Sequence, residues 1–277
     1  MTDGYFPDDS VIRTIGRESV LMLGGGRALL MQAAHPLVAS GIVEHSDYGS
    51  TPWRRLGRTL TALYAVVFGT REEADRAAAT VRAVHRRVHG RLRERLGVFP
   101  AGTRYSASDP ELQLWVHATL VDTGLVMYET YVRELEPEER CAFYDQMSVV
   151  GSVFGLPREL VPPSLEDFDA YREQLLRDGV LCVTEPAREV ARTVLAPPVP
   201  APFRPGVAAL VNANVGLLPA QLREQYGLPW RRLDRIALEM SARLVRTALP
   251  LAPSPLRAVR RGSRPGLALA LLAAASR

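Results

Sequence analysis

Apolar residues recur at intervals of three and four along almost the whole chain, which is the spacing of one face of an α-helix. Sustained alternation of apolar and polar residues, the pattern of a half-buried strand, does not occur. The pattern therefore predicts an all-α protein, with strand at most in one short hairpin.

Capping residues and breaker residues divide this pattern into separate elements. Thr70 and Glu73 form a capping box, so the helix they begin has the best start signal in the chain. Ser108 is expected to cap the helix that starts at Pro110, and His35-Pro36 predicts a kink because proline removes a helical hydrogen bond. The glycine run 24–26 is expected to break the chain, and 47–52 and 98–105 are expected to be a turn and a loop. Helices are predicted over 10–23, 27–43, 53–68, 70–96, 110–135, 137–153, 164–177, 185–195, 207–216, 219–226 and 229–249, followed by a C-terminal pair broken at 262–265.

The segment 197–205 holds five prolines in nine residues and is expected to be an extended connector. Helical patterns continue on both sides of it, and the sequence has no internal repeat. We therefore predict a single helical domain over 1–277, with a separate C-terminal lobe after the connector as the alternative.

Composition indicates a water-soluble globular protein, because 47% of the 277 residues are hydrophobic and 23% are charged. The net charge is +4, and every basic residue is an arginine. Acidic residues are interleaved with these arginines, so the stripe expected of a nucleic-acid-binding protein is not formed. Cys141 and Cys182 lie too far apart in sequence to suggest a disulfide framework, a zinc site or a covalent haem attachment motif.

The ends of the sequence carry no targeting signal that we identify. The N-terminal residues are acidic and lack the basic and apolar regions of a signal peptide. The apolar run Leu267–Ala275 is much shorter than the ~20 residues that cross a bilayer. A cytoplasmic protein without an integral membrane segment is expected.

Several common catalytic motifs are missing from the sequence. It contains no GxSxG, GxGxxG, GxxxxGK[ST] or HExxH string, and no Glu-x-x-His pair of the kind found in di-iron bundles. The five histidines are the remaining candidates for a catalytic or metal-binding role.

The predicted helices place the histidines in different settings. His85 and His89 fall on one face of the predicted helix 70–96, but two histidines without a carboxylate are a weak metal signal. We interpret His89 as solvated, because charged residues follow it, and His117 as a core histidine with a pocket role as the alternative. For His35 and His45, a structural role and a pocket-lining role stay equally open.

An ordered set of local strings covers nearly the whole chain and resembles the family of MpaB and latex clearing protein, the rubber oxygenases. The strings include Gly24-Gly25-Gly26-Arg27, Gln32-Ala33-Ala34-His35-Pro36, Pro52-Trp53-Arg54-Arg55-Leu56-Gly57-Arg58-Thr59, Phe68-Gly69-Thr70, Arg82-Ala83-Val84-His85-Arg86-Arg87-Val88, Trp115-Val116-His117 and Tyr226-Gly227-Leu228-Pro229. The resemblance implies an all-α fold with a globin-like core and additional helices around a non-covalently held haem b.

The same resemblance implies site residues. The family's proximal iron ligand corresponds to His85, with Arg82 beside it as a cofactor-binding residue. The family's arginine, lysine and threonine on the preceding helix correspond to Arg55, Arg58 and Thr59, the implied catalytic residues. Arg55 and Arg58 also have the charge that haem propionates need, although solvated arginines are the alternative. Because arginine stays protonated, distal iron ligation by Arg58 is in doubt.

Two features of the family's site are less well matched. His89 stands where the ligand motif has an arginine. The pocket glutamate of the family has no assigned counterpart, and Glu44 is the nearest carboxylate in sequence.

Two functions from different classes follow. The first is a haem-b-dependent oxygenase that adds O2 across an alkene or oxidises a hydrophobic small molecule. The second is a haem-binding or lipophile-binding protein without turnover, a sensor or a carrier. A helical scaffold that has lost its cofactor is a third and weaker interpretation.

Overall fold

The computed structural model describes residues 3–45, 52–197 and 199–251, and all of their side chains except those of residues 52–56 and 203. Over these residues the chain forms twelve α-helices and one two-stranded sheet. The all-α prediction is confirmed. The helices are Val11–Arg17 (α1), Gly25–Ala33 (α2), Pro36–His45 (α3), Pro52–Phe68 (α4), Arg71–His85 (α5), Pro110–Tyr131 (α6), Pro137–Phe154 (α7), Leu165–Arg177 (α8), Glu185–Leu195 (α9), Arg204–Gly216 (α10), Ala220–Gln225 (α11) and Arg232–Ala248 (α12).

The first two predicted helices are each divided. The prediction over 10–23 becomes α1 and a 3₁₀ turn, Ser19–Gly24, and α2 begins directly at Gly25. The prediction over 27–43 becomes α2 and α3 instead of one kinked helix. Pro36 occupies the first position of α3, where the missing N–H costs nothing, and His35 lies in the break before it.

The prediction of a continuous helix over 70–96 is wrong beyond His85. Its start is confirmed, because Thr70 and Glu73 cap each other's backbone as expected. After His85 the chain turns and enters strand β1, His89–Arg91, which pairs antiparallel with β2, Arg104–Ser106. The second strand lies at the end of the segment that we expected to be a loop. This small sheet agrees with the prediction of at most one short hairpin.

The turn after His85 has a tertiary cause. Gly90 lies against the ring of Tyr105, so closely that a Cβ at this position would come within 2.7 Å of the Tyr105 Cζ. The register pairs Gly90 with Tyr105. Packing on an aromatic ring, available only to glycine here, outweighs the helical pattern of the local sequence.

The middle of the chain follows its capping signals closely. Asp109, rather than the predicted Ser108, caps α6 by accepting from the backbone N–H of Glu111 at 2.9 Å. Helix α6 ends at Tyr131, four residues earlier than expected. Helices α7, α8 and α9 match their predictions to within one residue at each end, and Ser164 caps α8.

The proline-rich segment is only partly extended. A 3₁₀ turn occupies Ala201–Phe203 and α10 begins at Arg204, so the prediction of an extended connector to residue 205 is wrong in its second half. Proline is tolerated in the first turn of a helix, which explains Pro205 within α10. The predicted C-terminal pair of helices beyond residue 251 lies outside the described residues.

The largest hydrophobic cluster draws on most of the helices, and Trp115 of α6 is one of its largest fully buried side chains. The cluster also contains Leu218, Leu222 and Tyr226, which follow the proline-rich segment in sequence. The hydroxyl of Tyr226 donates to the Leu30 carbonyl at 2.7 Å. The core is therefore continuous across the segment proposed as a connector.

A buried ion pair lies beside this core. Arg27 of α2 is 2% exposed and donates to Asp122 of α6 at 2.6 Å and to the Thr123 hydroxyl at 2.7 Å. Its Nε donates to the Leu217 carbonyl at 2.7 Å. The other carboxylate oxygen of Asp122 lies 2.5 Å from Arg172 of α8. Burial lowers the pKa of the Arg27 guanidinium, and the negative charge of Asp122 opposes that shift.

Among the described residues, no helix is both long and apolar enough to cross a membrane.

We predict that Asp122→Asn destabilises the protein by about 3–5 kcal/mol, because the substitution leaves the buried Arg27 charge uncompensated. Glu72→Gln is the matched control, since it removes an ion pair with Arg76 whose side chains are 81% and 69% exposed. That control is expected to cost less than about 1 kcal/mol. Urea unfolding at pH 7 measures both effects. Equal losses for the two variants would contradict the importance of the buried pair.

Candidate functional site

His85 is the last residue of α5, and its side chain is half-buried. The neighbouring Val84 is 55% exposed, which is unusual for a valine on a helix whose other outward residues are mostly charged. Val81 and Val88 on either side are half-buried. The surface around His85 therefore combines an imidazole with apolar side chains.

The end of α7 anchors the last turn of α5. Arg82 donates from Nη1 to the Val153 carbonyl at 2.6 Å, and its aliphatic part lies against Gly155. Gly155 has a φ of 102° and ends α7 in the left-handed conformation. Carbonyl groups at a helix C-terminus attract a cation, so Arg82 fixes the position of the helix that carries His85.

The residues after His85 are fixed as well. A Cβ at Gly41 of α3 would lie 3.4 Å from Val88 Cγ1, so Val88 packs closely on that helix. The amide of Ala107 donates to the Val88 carbonyl at 2.8 Å. His85 thus lies where α5 turns toward α3 and the two-stranded sheet, with restrained backbone on both sides.

Three polar residues meet beside this turn. The hydroxyl of Tyr105 donates to Glu44 Oε2 at 2.7 Å and lies 3.3 Å from His45 Nε2. Burial and the hydrogen bond to Glu44 raise the pKa of Tyr105, so the phenol keeps its proton. Glu44 and His45 are themselves exposed. Glu44 of α3 therefore belongs to a polar cluster with His45 and with Tyr105 of β2, beside the small sheet that follows His85.

His117 of α6 is buried, as the core interpretation expects. A Cβ at Gly151 of α7 would lie 3.2 Å from its Cε1, so the ring rests directly on that helix. Its Nε2 is buried and has no hydrogen-bond partner among the described residues. Most buried polar atoms are satisfied, so this nitrogen keeps the alternative of a pocket role open. His117 and Arg82 contact α7 within about one turn of each other.

The remaining predicted residues lie on α4. Arg58 and Thr59 are exposed, and the side chain of Arg55 lies outside the described residues. Gly57 faces open space, since a Cβ there would meet no atom within 4 Å. Helices α4 and α5 pack on each other. A cavity shared by these three residues and His85 stays a prediction.

The other two histidines have defined surroundings. His35 is buried, accepts weakly from the Leu37 amide at 3.3 Å, and has its ring 5.4 Å from that of Phe99. His89 is exposed and lies in β1, so it does not share a helix face with His85 as expected. The exposed position of His89 agrees with its interpretation as a solvated residue.

The described residues form two large concavities away from His85. One, about 610 Å³, is mostly apolar and lies between α9, α10 and Trp230. The other, about 680 Å³, lies between α6 and α12 and is lined by both acidic and basic residues. No group of three His, Cys, Asp or Glu side chains suited to a metal ion occurs in the part of the chain that the structure describes.

Sequence reasoning missed the partner of Arg27. The arginine stands in one of the strings of the family resemblance, but its carboxylate partner lies 95 residues further on. The available signal was Asp122 itself, an acidic residue inside an otherwise apolar helical run.

Residues 12–247 match the family described as ER-bound oxygenase mpaB/B'/Rubber oxygenase, catalytic domain. An uncharacterized protein of Mycobacterium bovis is 31% identical over 234 residues, covering 81% of this chain and 87% of that protein. An uncharacterized protein of Mycobacterium tuberculosis matches with the same identity and coverage. No solved structure matches the chain significantly. The chain belongs to the MpaB/rubber oxygenase family, which is a family of oxygenases.

The buried histidines make stability depend on pH. Burial lowers the pKa of His117 and of His35 to about 4, from 6.5 in an unfolded chain. Between these pH values the unfolded state binds more protons than the folded state. The stability that these two neutral histidines contribute is therefore fully present above about pH 6.5 and is lost progressively as the pH falls toward 4.

We predict that His117→Leu makes the free energy of unfolding fall about half as steeply between pH 6.5 and 4, because one of the two buried titrating groups is removed. Each group contributes roughly 3 kcal/mol to this dependence. Urea unfolding at several pH values measures the slope. His89→Gln, at an exposed position, is the control and should keep the parent slope. An unchanged slope in His117→Leu would mean that this ring carries a proton in the folded protein.

Proposed function

We propose that the protein is a haem-b-dependent oxygenase that acts with O2 on a hydrophobic, alkene-containing small molecule. The observation that carries the proposal is the position of His85. It lies at the end of a capped and anchored helix, in a chain that matches an oxygenase catalytic domain over residues 12–247.

The residues around His85 fit a haem in their chemistry. A neutral imidazole is the usual proximal ligand of haems that handle oxygen. The exposed Val84 and half-buried Val81 and Val88 offer the apolar surface that a porphyrin needs. Gly57 on α4 leaves open space on the helix that carries the other proposed site residues. A bound haem would supply the binding and activation of O2.

The chain's own residues have separable roles in this proposal. His85 would hold the iron, and Arg82 is a positioning residue because it fixes the last turn of α5 on α7. Arg55 and Arg58 would bind the propionates with charge-assisted hydrogen bonds, and Thr59 would donate a hydroxyl hydrogen bond in the pocket. Arg58 stays protonated, so it acts through its charge and its N–H groups rather than as an iron ligand.

The cluster beside the turn supplies a carboxylate. Glu44 accepts a hydrogen bond from the Tyr105 hydroxyl at 2.7 Å, and the raised pKa of Tyr105 keeps the proton on the phenol. We assign Tyr105 the role of orienting the Glu44 carboxylate beside the turn that follows His85.

One observation favours the second candidate function, a lipophile-binding protein without turnover. The cavity of about 610 Å³ is lined mainly by apolar residues, among them Val207, Val211, Leu228 and Trp230. Its size and lining suit a small hydrophobic ligand. Oxygen uptake in the presence of an alkene separates the candidates, because a carrier or sensor consumes no O2.

We predict that His85→Ala abolishes stoichiometric haem binding while the fold survives, because the half-buried side chain is not part of the main core. His89→Ala is the matched control and should bind haem as the parent does. Each protein is titrated with haemin and scanned for the Soret band, with far-ultraviolet circular dichroism to check helicity.

A Soret band that survives in His85→Ala would contradict the assignment of the ligand. If His117→Leu then lost the band, the buried and unpartnered Nε2 of His117 would be the better candidate.

A further inference from the structure

Helix α12 has two apolar faces, and the described residues cover only one of them. Leu238, Ala242 and Val245 belong to a hydrophobic cluster with Met127 and Tyr131 of α6 and Ala213 of α10. The opposite face carries large apolar side chains at spacings of three and four, which places them in one stripe. These residues, the outer stripe, are Leu233 (76% exposed), Ile236 (38%), Met240 (65%) and Leu244 (69%). Leu251, just beyond the helix, is 84% exposed.

This stripe differs from the scattered apolar residues of an ordinary surface. Single exposed leucines need no explanation, but a continuous exposed row on one helix marks an interaction surface. Elsewhere among the described residues, Val98 and Leu160 are exposed at 50% and 42% without forming such a row.

The charge of the chain is divided at the same helix. Residues 231–277 contain ten arginines and two acidic residues, Asp234 and Glu239, for a net charge of +8. The first 230 residues therefore carry a net charge of −4, since the whole chain carries +4. Arg232 and Arg243 are exposed on the helical surface next to the outer stripe, whereas Arg246 donates to the Thr130 carbonyl at 2.9 Å.

An apolar stripe bordered by arginine fits one kind of partner better than the others. A second copy of this face would bring like charges together, which is unfavourable. A nucleic acid would match the charge but would leave the leucines and methionine in water. An anionic bilayer satisfies both, because its headgroups attract arginine and its acyl boundary accepts apolar side chains.

We propose that the outer stripe of α12, together with Arg232 and Arg243 that border it, docks the protein on the surface of a bilayer rich in anionic lipid. The helix lies in the plane of the interface with Leu233, Met240 and Leu244 inserted among the lipids. The proposal is independent of haem binding and of oxygenase activity.

Vesicle flotation with the full-length protein tests the proposal. The vesicles contain phosphatidylcholine alone or phosphatidylcholine with about one third phosphatidylglycerol, at 0.1 M and 0.5 M salt. The protein should float with the anionic vesicles at 0.1 M salt, and at least about tenfold more weakly with neutral vesicles or at 0.5 M salt, where exposed charges are screened.

The variant Leu233→Gln/Met240→Gln/Leu244→Gln should bind anionic vesicles at least about tenfold more weakly than the parent, because the inserted apolar area is lost. Its thermal midpoint should not fall, since the three side chains are exposed. The matched control Val98→Gln/Leu160→Gln changes exposed apolar residues elsewhere and should bind as the parent does.

Failure of the parent to float with anionic vesicles overturns the proposal, and so does parent-like binding by the triple variant. Light scattering after gel filtration tests the rival occupant. A parent dimer that the triple substitution dissociates would assign the stripe to a second copy instead. A lower thermal midpoint of the triple variant, together with no vesicle binding by the parent, would show that the chain itself covers the stripe.

Discussion

The buried ion pair between Arg27 and Asp122 is the interaction on which the arrangement of helices depends most. A charge removed from water must be matched by fixed partners, so the elements that supply those partners lose their freedom to shift. Arg27 draws them from α6 through Asp122 and Thr123, and from the end of α10 through the Leu217 carbonyl. Asp122 in turn holds Arg172 of α8.

This constraint reaches the candidate site through α2 and α3. Helix α2 carries Arg27 and leads within two residues into α3. Helix α3 then presents Gly41 to Val88, just after His85, and Glu44 to Tyr105 of β2, the strand that pairs with β1. On the other side of His85, Arg82 attaches α5 to the end of α7. The backbone on both sides of His85 is thus restrained by contacts with two different helices, which is the rigid support that the proposed site needs.

The helical class of the fold and several helix boundaries follow from local signals alone. Helices α7, α8 and α9 could be placed to within a residue because their caps and flanking prolines act within a single turn. The end of α5 could not, because it depends on Gly90 fitting against Tyr105, a contact made across the sheet. The division between α2 and α3 was predicted only in part, because Pro36 indicated a kink whereas the structure has two separate helices.

Local sequence strings also limit what could be predicted about the candidate site, because its long-range contacts leave no local pattern. The family strings point to His85 and Arg82 as expected site residues, and the structure adds that Arg82 donates to the Val153 carbonyl at the end of α7. Because α5 ends at His85, earlier than predicted, His89 lies in β1 and does not share a helix face with His85. The Tyr105–Glu44 hydrogen bond joins residues 61 positions apart, and no spacing rule could pair them.

The central claim is that His85 is the protein ligand of a haem iron, and chemical rescue tests it most directly. His85→Gly leaves a space for free imidazole on the same axis. Resonance Raman spectra of the ferrous, haem-loaded proteins report the iron–imidazole stretch. The account predicts that the band is present in the parent, absent in His85→Gly, and restored when imidazole is added. An iron–imidazole band that persists in His85→Gly without added imidazole would contradict it.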